Sequence, residues 1–263
     1  MNIISSADNS LVKAIGKLQK RKYRQETGKF VLEGYRLVKD AFSNNPAELK
    51  IILAESKASE YLVRFPNATV LSDILFEKNC DTVNSQGIMA IAPIAPYIIE
   101  PTSDFCLYLD RVRDPGNLGT IIRTAVACGF RDILLDDCVD VYNPKTIRSS
   151  MGAFFHCNFV LPNAEIDSRY LVVCADARGT DIRKVPKMPT DKKLCLVIGN
   201  EANGIGDALK ARADITVSLP MCEGVESLNA AVSASVAMYW FKYFNNLNNS
   251  EEKICPDTAN GPL

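Results

Sequence analysis

The chain has 263 residues, 47% apolar and 23% charged, with 30 basic against 31 acidic side chains. That is material for one to two folded domains and excludes a largely disordered chain. A net charge of −1 announces no polyanionic partner, so only local clusters of lysine and arginine could mark one, and nine cysteines without a CxxC pair beside one histidine exclude a disulfide framework, a closed zinc site and most histidine triads.

The first residues, MNIISSADNSLVK, lack a basic segment followed by an apolar one and do not read as a signal peptide. No apolar run reaches the roughly 18 residues needed to span a bilayer. The richest, 230–241, is interrupted by Ser233 and Ser235 and reads as a buried helix. These features, with the cysteines, point to a reducing cytoplasm and no membrane partner. No metal is expected.

Residues 13–29 carry Lys13, Lys17, Lys20, Arg21, Lys22, Arg24 and Lys29 against one acid, Glu26. They read either as a solvated helix face or as a patch giving sequence-independent affinity for RNA phosphates, centred on Lys20, Arg21, Lys22 and Arg24. Strands are predicted at Phe30–Leu32, Lys50–Leu53, Thr69–Leu71 and Ile88–Ile91. Helices are predicted at Tyr35–Phe42, Ser56–Phe65 and Ser72–Glu77. Residues 1–92 thus form a small α/β domain. Three prolines within 93–104 make regular structure unfavourable, and that stretch reads as a linker.

The second domain, 105–246, alternates again. Strands are predicted at Phe105–Leu109, Ile133–Leu135, Phe155–Val160, Leu171–Cys174, Leu194–Ile198 and Ile215–Leu219. Helices are predicted at Thr120–Cys128, near Pro144–Met151, Ile205–Ala211 and Leu228–Phe244. Short apolar strands between helices imply a parallel sheet covered on both faces. The polar tail 247–263 is expected to fray.

No GxGxxG or GxxxxGK[ST] is present, which removes the usual dinucleotide and nucleoside triphosphate fingerprints. Three loops after strands of the second domain stand out instead. Residues 114–125 hold a Pro115-Gly116 turn, then Gly119, then Arg123 near the start of a helix, placed for a bidentate phosphate contact or simply solvated. Residues 196–206 run from an apolar strand into Gly199, Glu201, Gly204 and Gly206, a turn whose backbone amides can hold a ligand. In residues 219–231, Ser227 is placed to cap the following helix, which leaves Asn229 free to point elsewhere. Three such loops at the carboxyl ends of one sheet define a ligand crevice.

In order and spacing these loops resemble the three signature motifs of the SpoU/TrmH family of the SPOUT superfamily: Asn117-x-Gly119-x-x-x-Arg123, then Gly199-x-Glu201-x-x-Gly204, then Leu219-Pro-Met with Ser227-Leu228-Asn229. Residues 150–155 resemble the family's helix-to-strand segment. Residues 10–92, best at 30–41, are similar to its L30e-like substrate-binding domain. The resemblance implies an S-adenosylmethionine-dependent RNA 2′-O-ribose methyltransferase whose parallel sheet carries a trefoil knot. It implies ribosomal RNA as substrate, with transfer RNA as the alternative, and a homodimer through the second domain.

Catalytic roles fall by the same resemblance on Asn117, Arg123, Glu201, Ser227 and Asn229, with Arg123 also touching RNA. Cofactor-binding positions fall on Ile198, Gly199, Asn200, Leu219, Met221 and Leu228. The family usually has isoleucine where this chain has Leu219, a change that backbone contacts survive. The competing readings are a non-catalytic RNA-binding protein of the same fold and a small-molecule enzyme on a doubly wound sheet.

Overall fold

The apolar runs of the first third of the chain build one mixed sheet. A computed structural model describes residues 2–161, 166–189, 191–225 and 227–245. The predicted tail lies outside the described residues. In chain order come β1 (Ile3–Ile4), α1 (Ser10–Leu18), α2 (Arg21–Thr27), β2 (Lys29–Glu33), α3 (Tyr35–Asn44), β3 (Lys50–Ala54), α4 (Ala58–Tyr61), β4 (Thr69–Leu71), α5 (Asp73–Lys78) and β5 (Ile88–Pro93). The Asn9 side chain accepts from the Leu11 amide and starts α1, and Leu11, Val12, Ile15 and Leu18 make its buried stripe. The sheet order is β1-β4-β3-β5-β2, with β5 antiparallel to both its neighbours.

The second sheet has six strands, and every pairing is parallel. Its elements are β6 (Phe105–Asp110), α6 (Pro115–Ala127), β7 (Asp132–Asp136), α7 (Pro144–Ser150), β8 (Asn158–Val160), β9 (Tyr170–Asp181), β10 (Lys193–Ile198), α8 (Asp207–Lys210), β11 (Ile215–Ser218) and α9 (Ala230–Tyr239), which continues as a π-helical turn, Trp240–Phe244. The order is β11-β9-β10-β6-β7-β8. The central strands β6 and β10 are buried along almost their whole length, as a parallel sheet covered on both faces requires. The α/β class expected from the alternating pattern is the one found.

Several boundaries differ from those predicted, each for a local reason. Helix α6 starts at Pro115, five residues before the predicted Thr120, because the Asp114 side chain accepts from the Asn117 amide and proline occupies the first turn. Gly119 is therefore helical. An added Cβ there would collide with the Thr146 carbonyl and Ser149, so this glycine serves the close packing of α6 on α7. Helix α9 starts at Ala230, since Asn229 and not Ser227 is its cap. The predicted strand Phe155–Val160 is a short 3₁₀ turn, Ala153–His156, followed by only three strand residues.

The 93–104 stretch is irregular but firmly attached. The Ile94 amide donates to Gly28, Ile98 bridges to Val160, and the amides of Thr102 and Ser103 donate to the buried Asp132 carboxylate at 2.6 and 2.7 Å. The two sheets share a continuous apolar core. At their junction the Phe30 ring lies 4.9 Å from Tyr142 and 5.9 Å from Phe154, centroid to centroid.

Candidate active site

The three loops converge through side-chain hydrogen bonds. The Asn117 amide nitrogen donates to Glu201 Oε1 at 3.2 Å, and Asn229 Nδ2 donates to Asn117 Oδ1 at 3.0 Å. One residue from each loop thus joins a single chain, Glu201–Asn117–Asn229. Asn229 can do this because its Oδ1 faces its own helix, accepting from the amides of Ala231 and Val232. Its spacing from Ser227 predicts no capping duty for Asn229. It is instead both the cap and the link.

Glu201 also accepts weakly from the backbone amides of Arg113 and Asp114. Burial pushes its carboxyl up, but the surrounding donors outweigh burial and hold it below its ordinary range. The same two loops are clasped lower down. Asn200 Nδ2 donates to the Arg111 carbonyl at 2.7 Å, and the Gly206 amide donates to Asp110 Oδ2 at 2.7 Å. Arg111 holds a left-handed backbone, φ +57°, a costly conformation for a non-glycine residue that persists only where its surroundings enforce it.

Beside this network a cleft of about 550 Å³ opens between β9, the ends of β10 and β11, and the start of α9. Ile198, Gly199, Asn200, Leu219, Met221 and Leu228 all line it, as do Glu201, Ser227 and Asn229. Much of the wall is made of small residues, among them Ala175, Ala177, Gly204, Ser218 and Ala230. An added Cβ on Gly199 would run into the backbone of Gly204 and Ile205, so this glycine lets the loop fold against itself. At one side Asp176 accepts from Lys210 Nζ at 2.6 Å. Its hydrogen bonds to Lys210 and the Arg178 amide hold the carboxyl down at about 2. Sequence reasoning missed Asp176, Arg178 and Lys210. They follow no motif, and only the length of β9 and the position of α8 bring them to the cleft.

Two arginines are not where the sequence reading placed them. Arg123 is the ninth residue of α6, not a member of its first turn. It lies about 9 Å further along the axis than Asn117 at 1.5 Å per residue, is exposed, and does not line the cleft. Arg24 is only 3% exposed and cannot meet RNA phosphates. Its guanidinium donates to Asp140 Oδ2 at 2.5 and 3.0 Å and to the carbonyls of Leu18 and Gln19. It is a structural link between the two sheets, whereas Lys20, Arg21 and Lys22 are exposed beside it. Among the described residues no group of three or more His, Cys, Asp or Glu could hold a metal, and no helix is long and apolar enough to cross a membrane.

The pattern of the SpoU rRNA Methylase family matches residues 104–239, and that of the MRM3-like substrate binding domain matches residues 9–90. The 23S rRNA (guanosine(2553)-2′-O)-methyltransferase RlmP of Bacillus subtilis (strain 168) is 34% identical over 249 residues, which is 91% of this chain and 98% of that protein. The 23S rRNA (uridine(2479)-2′-O)-methyltransferase of Streptomyces viridochromogenes is 28% identical, covering 84% of this chain and 85% of that protein. The crystal structure of an AdoMet-bound rRNA methyltransferase from Sinorhizobium meliloti superposes with a TM-score of 0.77 at 29% identity, covering 90% of this chain and 96% of that one. Matching motifs, a shared two-part architecture and this degree of identity agree: the chain belongs to the SpoU rRNA methylase family.

Proposed function

We propose that this chain transfers a methyl group from S-adenosylmethionine to a ribose 2′-hydroxyl of 23S-type ribosomal RNA. The observation that carries the reading is the Glu201–Asn117–Asn229 chain at the edge of a cleft rich in small residues. The cleft suits the cofactor. Its size and its mix of polar and small apolar residues suit an adenosyl ligand, and the Glu201 carboxylate, held below its ordinary range, suits a cationic sulfonium nearby. RlmP and the Streptomyces enzyme are named for 2′-O-methylation of 23S rRNA, and the Sinorhizobium relative is described with AdoMet bound.

When bound, S-adenosylmethionine supplies an electrophilic methyl, so the protein's task is to align the 2′-hydroxyl and assist loss of its proton. Glu201 orients the Asn117 amide, and Asn117 orients Asn229. Together with Ser227 they hold the ribose. Arg123 grips the neighbouring phosphate with its planar guanidinium fork. Phosphate or water takes the proton. Lys20, at the cap of α2, and Arg21 and Lys22 in its first turn supply phosphate affinity.

The reading includes a homodimer through the second sheet's helices, since Arg123 stands apart from the cleft of its own chain. It includes the trefoil knot of the family and a cytoplasmic setting that keeps the thiols reduced. The test is transfer of tritiated methyl from labelled S-adenosylmethionine to total RNA. Label should enter the large ribosomal RNA and survive alkali as a dinucleotide, because a methylated 2′-oxygen cannot attack its phosphate. Label released as single nucleotides, or no label, would overturn the reading.

A further inference from the structure

The chain carries a second and larger cleft, of about 800 Å³, which shares no lining residue with the first. It lies at one end of the first sheet. Because β5 runs antiparallel to both neighbours, the starts of β2 and β3 meet the end of β5 there: Lys29 pairs with Pro93, and Lys50 pairs with Ile91. Helices α1 and α2 complete the walls. We propose that this cleft takes an unpaired nucleotide of the RNA, with the base inside and the flanking phosphates on its rim. The proposal rests on the reading above that RNA is the substrate.

The cleft is apolar inside and cationic outside. Leu11, Leu18, Ile91 and Ala92 are buried residues that contribute to its wall. Lys13, Lys17, Lys29 and Lys50, all exposed, surround it, and Glu48 is the one acid among the lining residues. Lys13 pairs with exposed Asp8 at 2.8 Å, a contact of a kind that contributes little. Tyr23 also lines the cleft, with Lys17 Nζ 5.6 Å from its ring centroid.

These features select the occupant. Duplex RNA would engage the lysines but keeps its bases stacked away from the apolar wall. An acidic peptide offers charge without a flat π-face to set against Tyr23. An unpaired nucleotide has both, a base that packs on aromatic and aliphatic groups and phosphates on either side of it. The volume lies within the roughly 300–1,000 Å³ of clefts that hold small organic groups.

The experiment is equilibrium binding of a labelled, unstructured ten-nucleotide RNA to the full chain, beside an RNA duplex of equal length and an acidic decapeptide. The single strand should bind tightest. Tyr23→Ala should weaken it roughly tenfold, as loss of one stacked base does, with Tyr23→Phe retaining affinity and the duplex little affected. Lys17→Ala with Lys29→Ala should lower the slope of log affinity against log salt by about 0.7 per lost contact. S-adenosylmethionine affinity, read in each variant, shows that the fold is intact. No strand binding, equal losses on strand and duplex, an unchanged salt slope, or Tyr23-dependent binding of the peptide alone would each overturn the proposal. Methyl transfer by the unaltered chain is read separately. Transfer without a Tyr23 effect on binding would remove the cleft and leave the methyltransferase. Tyr23-dependent strand binding without transfer would do the reverse.

Discussion

The roles proposed for Arg123 and Gly199 rest on opposite physics, a guanidinium that reaches outward and a glycine that makes room. Arg123 is exposed and lines no part of the cleft proposed for the cofactor. Arg123→Ala should therefore lower single-turnover methyl transfer by about 10²–10⁴ while calorimetric S-adenosylmethionine affinity stays near normal. Arg123→Lys should recover little, since an ammonium keeps the charge but not the fork. Near-normal turnover in Arg123→Ala would remove the phosphate clamp from the mechanism. Gly199 has no side chain to lose, and any side chain added meets the backbone of Gly204 and Ile205. Gly199→Val should abolish cofactor binding by displacing the 199–206 loop, with the hydrogen bonds of Asn200 and Glu201 lost alongside it. Retained affinity in that variant would show that the loop has room the geometry denies it.

Helix α9 is apolar on both sides. Ala231, Ala234, Ala237 and Met238 face the core, whereas Val232, Val236, Tyr239 and Tyr243 are between 42% and 49% exposed. Spaced four, three and four apart, these outer residues form one stripe. A helix apolar all round belongs in an interior, and a second copy would supply one. A stable dimer interface buries more than about 1,000 Å² in total. Val236→Asp should convert a dimer mass to a monomer mass in light scattering at micromolar concentration, and activity should fall with it. A monomer mass for the unaltered chain would refute the dimer.

The two sheets are joined at the scale of the whole molecule by the Phe30, Tyr142 and Phe154 cluster and by Arg24 reaching Asp140. The Arg24 side chain is 4% exposed and that of Asp140 15%. Removing one partner of a buried pair leaves the other charge unpaired, which costs roughly 3–5 kcal/mol. Arg24→Ala should lower stability in urea by that order. Lys22→Ala, two residues away but exposed and only loosely paired with Glu26 at 3.8 Å, should change it by less than about 0.5 kcal/mol. Equal effects of the two substitutions would mean that Arg24 is not the link the geometry describes. Arg148, paired with Asp81 across the same junction, is a second and more exposed tie.

The features legible in the chain alone are local or periodic. The apolar runs of β6 and β10, the alternation of strand and helix, the basic character of 13–29 and the three glycine-bearing loops were legible because each depends on neighbours a few residues away. The six positions that the family resemblance assigns to the cofactor, 198–200, 219, 221 and 228, line one cleft. Tertiary structure decided the rest. Asn229 became a cap because Ala230 starts α9, and it became a link because α6 brings Asn117 within 3.0 Å. Arg24 and Lys22 look alike in sequence, but one is drawn inward by Asp140, 116 residues away, and the other faces water. Asp176 and Lys210 meet over 34 residues of chain. No periodicity encodes such meetings, because they arise only when two sheets and their covering helices have packed.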